Sequence, residues 1–324
     1  MKKLTFCSAI TEALDEEIAR DSSVYILGED MVEGGGFGQA TGLFKKYGFE
    51  RVKNTPISET AILGTSVGAA SLGMRPVPEI MFNNFMTVCW DELYNQLSKL
   101  RYMTGGQMTL PVTVRTVLGA GMSAAAHHSA SMEGMFICMP GLKVVMPSTA
   151  YDAKGLLKAS IRDDNPVLFL EHMALILDET TSDIPDEEYT VPLGKADIKR
   201  EGSDVTVVAT GLMVHRALAA AEKLQAKGIS IEVVDPRTLV PLEKQVILNS
   251  VQKTSRLVVM TEETKTGSVA GEIAAIVAEE AFDSLDAPIK RVCAPDTSVP
   301  FNAAMEKFFM PDEEDLIKAV TEIT

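Results

Sequence analysis

Two apolar rhythms alternate along this chain. Residues 5–21 place Ala9, Ile10, Ala13, Leu14 and Ile18 on one stripe at helical spacing. Val24-Tyr-Ile-Leu-Gly28 is a short continuous apolar run ending at a glycine, as a buried strand does. The pattern then predicts a helix near Thr41–Tyr47 and an apolar helix opening at Glu59. A strand follows over Arg75–Ile80, and a helix from Phe85 carries Trp90, Leu93 and Leu97. Pro111–Gly119 and Gly141–Thr149 read as strands, Ala150–Arg162 as a helix opened by Ser148 or Thr149, and Asp163–Glu171 as a return to the sheet. Residues 178–196 break the rhythm. They are acidic, poor in large apolar groups, and contain Pro185 and Pro192. The alternation then restarts, with strands at Val205–Ala209, Ile229–Val234, Arg256–Thr261 and Ile289–Cys293. Helices at Met213–Lys227, Leu242–Val251 and Ser268–Ala281 lie between them. Strand–helix alternation of this kind builds parallel sheets with helices on both faces. The expectation is an α/β protein of two domains, 1–180 and 197–324, joined by a linker at 181–196.

Composition narrows the function classes. The 324 residues are 46% hydrophobic and 23% charged, with a net charge of −15. That balance suits a soluble protein and argues against nucleic acid and anionic membranes as partners. Met1-Lys-Lys-Leu leads into an amphipathic stretch, so no secretory leader is expected. Cys7, Cys89, Cys138 and Cys293 lack paired metal spacing and are expected to be buried free thiols in a reducing cytoplasm.

The chemistry concentrates around Thr55-Pro-Ile-Ser58-Glu59, which runs into a segment with Gly64 and Gly68 four residues apart. Ser58 is placed to cap this helix and Glu59 falls in its first turn. The two glycines share one face, which suggests close approach of another backbone and a dry setting for Glu59. The carboxylate then has two readings: a charge favoured by the helix dipole, or an acid–base group. Glu29 follows the first strand, where α/β sheets present their chemistry. Gly34-Gly-Gly-Phe-Gly38 does not open a helix and no Gly-Lys-Ser/Thr follows, so it reads as a flexible loop rather than a phosphate cradle. His127 and His128 stand in a small-residue loop after the Pro111–Gly119 strand, and His215 lies inside a helix, where it reads as structural.

Taken together, Thr-Pro-Ile-Ser-Glu59, the two glycines, Glu79-Ile-Met81-Phe-Asn-Asn84-Phe85 and His127-His128-Ser129 resemble the beta subunit of the thiamine-diphosphate-dependent first component of 2-oxoacid and acetoin dehydrogenase complexes. The resemblance spans essentially the full length. It implies a pyrimidine-binding domain followed by a transketolase C-terminal-like domain. It implies that Glu59 hydrogen-bonds a ring nitrogen of the cofactor's aminopyrimidine with Glu29 in support, and that Phe85 stacks on that ring close to Met81. His128 becomes the catalytic histidine, and His127 stands where the family commonly has Gln. Backbone carbonyls matching Val112, Ser160, Asp163 and Asn165 would hold a potassium ion. No Gly-Asp-Gly is present, so magnesium and the diphosphate would be held by an alpha subunit in a heterotetramer of two alpha and two beta chains. The acidic tail around Asp312–Asp315 would face a basic domain of the lipoyl acyltransferase core. Acetoin is the first expected substrate, pyruvate the second and branched-chain 2-oxoacids the third. A nicotinamide-dependent oxidoreductase is the rival from another class, but its glycine fingerprint is missing. A non-catalytic assembly subunit is a further rival, against which Glu59, Phe85 and His128 stand.

Overall fold

The computed structural model describes residues 1–324. In chain order the elements are β1 (Lys2–Leu4), α1 (Phe6–Arg20), β2 (Val24–Gly28), α2 (Leu43–Tyr47), β3 (Val52–Asn54), α3 (Glu59–Ser71), β4 (Arg75–Phe82), α4 (Leu100–Met103), β5 (Thr113–Leu118), α5 (Glu133–Ile137), β6 (Lys143–Val145), α6 (Ala150–Arg162), β7 (Val167–His172), α7 (Met173–Leu177) and β8 (Ser182–Ile184). They continue with β9 (Asp197–Arg200), β10 (Val205–Ala209), α8 (Leu212–Gln225), β11 (Ile231–Asp235), β12 (Thr238–Val240), α9 (Lys244–Thr254), β13 (Leu257–Thr264), α10 (Val269–Glu280), β14 (Lys290–Ala294), α11 (Ala303–Phe309) and α12 (Glu313–Thr321). The chain divides into two compact units, Met1–Leu118 with Phe136–Leu193, and Gly119–Met135 with Gly194–Thr324.

In the first unit the strands run β6-β7-β5-β4-β2-β3, and every pair is parallel. The residues of β2, β5 and β7 are all buried, which is why their sequences read as unbroken apolar runs rather than alternating ones. α1 and α6 meet along a charged seam that the apolar pattern does not reveal. Lys154 and Lys158, one turn apart on α6, have fully buried side chains and bond the carboxylate of Glu16 at 2.7 and 2.5 Å. Burial alone would raise the Glu16 carboxyl, but the two ammonium groups outweigh it and hold it at about 2. The stretch expected to be a linker is partly built in. β8 pairs antiparallel with β1, and Ile184 joins a core with Ala9 and Ala150, so the chain stays with this unit as far as Leu193.

The second unit has strand order β14-β13-β10-β11-β9. Four strands are parallel as the alternation requires, and β9 adds an antiparallel edge against β11. α8 and α12 cover one core through Met213, Ala217, Ala221, Leu316 and Val320. Asp312 caps α12 by accepting from the amides of Glu314 and Asp315 at 2.9 and 3.1 Å. The cysteines depart from expectation. All four are free, but only Cys89 is buried, while Cys138 is exposed and Cys7 and Cys293 are half-buried. No helix is long and apolar enough to cross a membrane.

Candidate functional site

Because every strand of the first unit's sheet is parallel, one edge collects all the carboxyl ends, where side chains on the following loops converge. Glu29 follows β2, Glu59 is the first residue of α3 after β3, and Met81 and Phe85 stand at the end of β4. Glu59 is buried, and Glu29, Met81 and Phe85 are half-buried. Burial raises the Glu29 carboxyl above its ordinary range, and the neighbouring charges of Glu59 and Asp30 push it further. Phe85 sits in a 3₁₀ turn, and its ring meets that of Phe82 edge-on at 5.8 Å. The structure therefore brings Glu29, Glu59, Met81 and Phe85 to one edge.

Two expectations about α3 need correction. Ser58 occupies the cap position but makes no side-chain hydrogen bond there, because its backbone takes φ −167° and ψ 66°, outside the usual capping geometry. No backbone packs against the two-glycine face either. A Cβ on Gly64 would meet only Glu92 Cγ at 3.8 Å, Gly68 has open space around it, and Ala61 and Thr65 are exposed. In this chain the small residues face away from the fold.

Beneath the site lies a network that sequence reasoning missed. Arg115, in the middle of β5 and 1% exposed, forks onto Glu171 of β7 through Nε at 2.7 Å and Nη2 at 3.0 Å. Its remaining Nη1 lies 3.0 Å from Glu79 on β4. Two buried acids thus share one cation, and burial pushes Glu79 up despite the guanidinium, with the Glu171 charge adding to the rise. Gln39 completes the network by donating to Glu171 at 3.1 Å while its Oε1 accepts from the Phe37 amide at 3.1 Å. This corrects the reading of Gly34–Gly38 as a flexible loop. Its neighbour Gln39 is fully buried, Gly35 donates to Asp30 at 2.8 Å, and a Cβ on Gly36 would come within 3.1–3.3 Å of Met81. The signal for this network was the charged residue inside each of three strongly apolar strands, Glu79, Arg115 and Glu171.

His127 and His128 lie on residues 119–135, which belong with the second unit. His127 is exposed and His128 half-buried. His215 is exposed on α8, and His172, which the motifs did not single out, is buried and caps α7 by accepting from the Ala174 amide at 3.1 Å. The proposed potassium ligands lie where the end of α6 meets the approaches to β5 and β7. The carbonyl of Val112 already accepts from Val167 at 2.9 Å, that of Ser160 from Asp163 at 3.2 Å, and that of Asp163 from Arg75 Nη1 at 3.1 Å. Each keeps a second lone pair, but the guanidiniums of Arg75 and Arg101 stand against Asp163 and Asn165 and oppose a further cation.

Comparison with known proteins decides the family. Residues 2–176 match the model of the transketolase pyrimidine binding domain and residues 194–316 that of the transketolase C-terminal domain. The 2-oxoisovalerate dehydrogenase subunit beta of Bacillus subtilis is 45% identical over 100% of this chain and 99% of its own. The chain belongs to the transketolase-like family of dehydrogenase beta subunits. Other members are nearly as similar. The beta subunit of acetoin:2,6-dichlorophenolindophenol oxidoreductase from Cupriavidus necator is 46% identical over 98% of this chain and 96% of its own. The pyruvate dehydrogenase E1 component subunit beta of Bacillus subtilis is 44% identical over 100% and 99%. Among solved structures, a split gene transketolase described as an inactive beta4 tetramer superposes with a TM-score of 0.80 over 99% of this chain and 98% of its own, at 22% identity, which shows the shared fold.

Proposed function

We propose that this family member is the beta subunit of a thiamine-diphosphate-dependent dehydrogenase component that works with an alpha subunit, as two alpha and two beta chains. It would cleave acetoin or decarboxylate pyruvate and pass the acyl group to a lipoyl group. The observation that carries this reading is the convergence of Glu29, Glu59, Met81 and Phe85 on one sheet edge, in a chain that aligns end to end with named beta subunits. Those residues fit the pyrimidine end of the cofactor: a buried carboxylate for a ring nitrogen, a second carboxylate tied to it electrostatically, and an aromatic ring for stacking. When bound, the cofactor supplies an electron sink for carbon–carbon cleavage beside a carbonyl. Glu59 holds a proton at the ring nitrogen and Phe85 orients the ring. His128 orients substrate and moves a proton.

Uncovered apolar surface supports the alpha partner. Around α3, Ile57 is 80% exposed, Leu72 87% and Val88 56%. The diphosphate and its magnesium belong to that partner in this reading, and no step rests on potassium. The acidic start of α12 is the proposed contact with the acyltransferase core, although Glu313 and Glu314 already face Arg216 at 3.7 Å and Lys223 at 2.9 Å. Four free cysteines suit a cytoplasmic setting. A branched-chain 2-oxoacid is the second substrate reading, favoured by the 45% identity to the 2-oxoisovalerate subunit.

Calorimetric titration of thiamine diphosphate with magnesium tests the split site, first on this chain and then on its mixture with an alpha subunit of the same family. Binding to the mixture only is expected, and tight binding to the lone chain overturns it. In the mixture, Glu59→Gln is expected to lower turnover by about a hundredfold or more with assembly intact. Turnover near wild type in that variant removes Glu59 from the mechanism.

A further inference from the structure

Residues 119–135 carry His127 and His128. Ala120 is the one apolar side chain of the segment in a core, while Met122 and Met135 are 41% and 42% exposed. Two of its own backbone bonds are long, at 3.5 Å from Gly119 to Ala130 and 3.4 Å from His128 to Ala125, and a third, from Met135 to Met132, is 3.0 Å. Ser123 and Ala125 take φ of 54° and 60°, a left-handed conformation that non-glycine residues keep only when their surroundings impose it.

Three buried carboxylates hold the backbone of the segment. Glu306 of α11, 3% exposed, accepts from the Gly121 amide at 2.9 Å and from the Ser123 amide at 2.8 Å, one on each oxygen. Glu262 of β13, also 3% exposed, accepts from the Ala120 amide at 2.7 Å and from Ser131 Oγ at 3.4 Å. Its neighbour Glu263, 4% exposed, accepts from the Gly134 amide at 2.6 Å and from the Val269 amide at 2.8 Å. The histidines therefore sit between two ends of a segment that is pinned by its backbone at 120–123 and at 134, with the Ser131 hydroxyl adding a side-chain contact. Backbone bonds to a buried carboxylate are charge-assisted and short, and they fix the path of the chain whatever its side chains are.

We propose that Glu262, Glu263 and Glu306 form a carboxylate clamp whose function is to set the position of His127 and His128, making the three acids positioning residues. The functional half of this proposal rests on the reading of His128 as the catalytic histidine; the clamp itself does not. Glu306→Gln keeps the shape but leaves one of the two amides facing an NH₂ group, and Glu263→Gln does the same at the other end of the segment, where its two oxygens accept from the Gly134 and Val269 amides.

Amide hydrogen exchange on the full chain is the test. In Glu306→Gln, peptides covering 119–126 should exchange about ten- to a hundredfold faster, with peptides from β10 and β13 unchanged. Glu263→Gln serves as the second variant, with the same expectation for peptides covering 131–135 and with peptides from β10 unchanged. Unchanged protection of the segment in both variants overturns the clamp, and so does a uniform loss across the second unit, which would mark the acids as general supports of stability. With the alpha subunit, Glu306→Gln should lower kcat at least tenfold while the dissociation constant for thiamine diphosphate stays put. A rise in that constant with kcat unchanged refutes positioning of the histidines. If His128→Ala turns over normally while the exchange results hold, the catalytic assignment fails and the clamp survives.

Discussion

Two carboxylate clusters, one in each unit, are held by opposite means. In the first unit a buried cation answers: Arg115 serves the buried Glu79 and Glu171, and Lys154 and Lys158 serve the half-buried Glu16. In the second, Glu263 and Glu306 are answered by backbone amides, and Glu133 by a proton. Glu133 is 1% exposed and neither of its oxygens meets a hydrogen-bond partner. Burial first, and then the charges of Glu263 and Glu262, push it well above the carboxylate range. Burial likewise lifts Glu263 to about 7, against the pull of its two amide donors. A cation or a pair of amide donors holds the ionised carboxylate, whereas a buried carboxyl without a partner, such as Glu133, is held only while it keeps its proton. The Glu133–Glu263 pair thus gives the second unit a pH-dependent element that has no counterpart in the Arg115 cluster of the first unit.

The largest expected effect comes from removing the cation of the first unit. Arg115→Met leaves Glu79 and Glu171 facing each other in a buried site, and breaking a buried ion pair from one side costs about 3–5 kcal/mol. Trp90 is the sole tryptophan and lies in the first unit, so its fluorescence during guanidinium unfolding reads this unit. A loss below about 1 kcal/mol would show that the two acids share a proton without help and that the cation is incidental.

The sequence made the parallel sheets legible because β2, β5, β7, β10 and β13 are buried on both faces, and continuous apolar runs have few other uses. Glu29, Glu59, Met81 and Phe85 could be placed at one edge because each follows a strand, and in a parallel sheet those ends share a side. What holds these residues was not legible. Arg115, Glu79 and Glu171 are far apart in the chain and meet only through strand pairing, in which Glu79 stands opposite Arg115 and Val117 opposite Glu171. The clamp is further from view, since its donors are backbone amides, which every residue has. The assignment of residues 119–135 to the second unit was hidden for the same reason. The antiparallel edge β9 went unread because Asp-Ile-Lys-Arg lacks the apolar run of a buried strand.

A smaller effect separates the two means by pH. Glu263 binds a proton in the folded state up to about 7, against 4.5 when unfolded. Between those values the native state holds more protons than the unfolded one, so stability falls as pH rises from about 4.5 and levels off above about 7. A rise of this size in a buried carboxyl corresponds to about 3 kcal/mol across the window. Glu133→Gln keeps the shape of the protonated acid and removes one charge of the pair, so the slope between pH 5 and 8 should flatten by more than half. Guanidinium midpoints for both proteins at several pH values measure it. Parallel curves for wild type and variant would detach Glu133 from the titration.

The smallest effect sharpens the other side of the comparison. Gln39 is neutral, and it ties the glycine loop to the cation-held network by one bond to Glu171 and one from the Phe37 amide. Gln39→Ala removes both, and since Arg115 still forks onto Glu171, no charge is left uncompensated. The expected loss is about 1–2 kcal/mol, the scale of a bond to a charged group rather than of a buried ion pair. Limited proteolysis within residues 34–38 should accelerate well before global unfolding does, because the loop loses its anchor while the strands keep theirs. A loss as large as that of Arg115→Met would mean that the amide, and not the cation, organises the network, and the contrast between the two units would disappear.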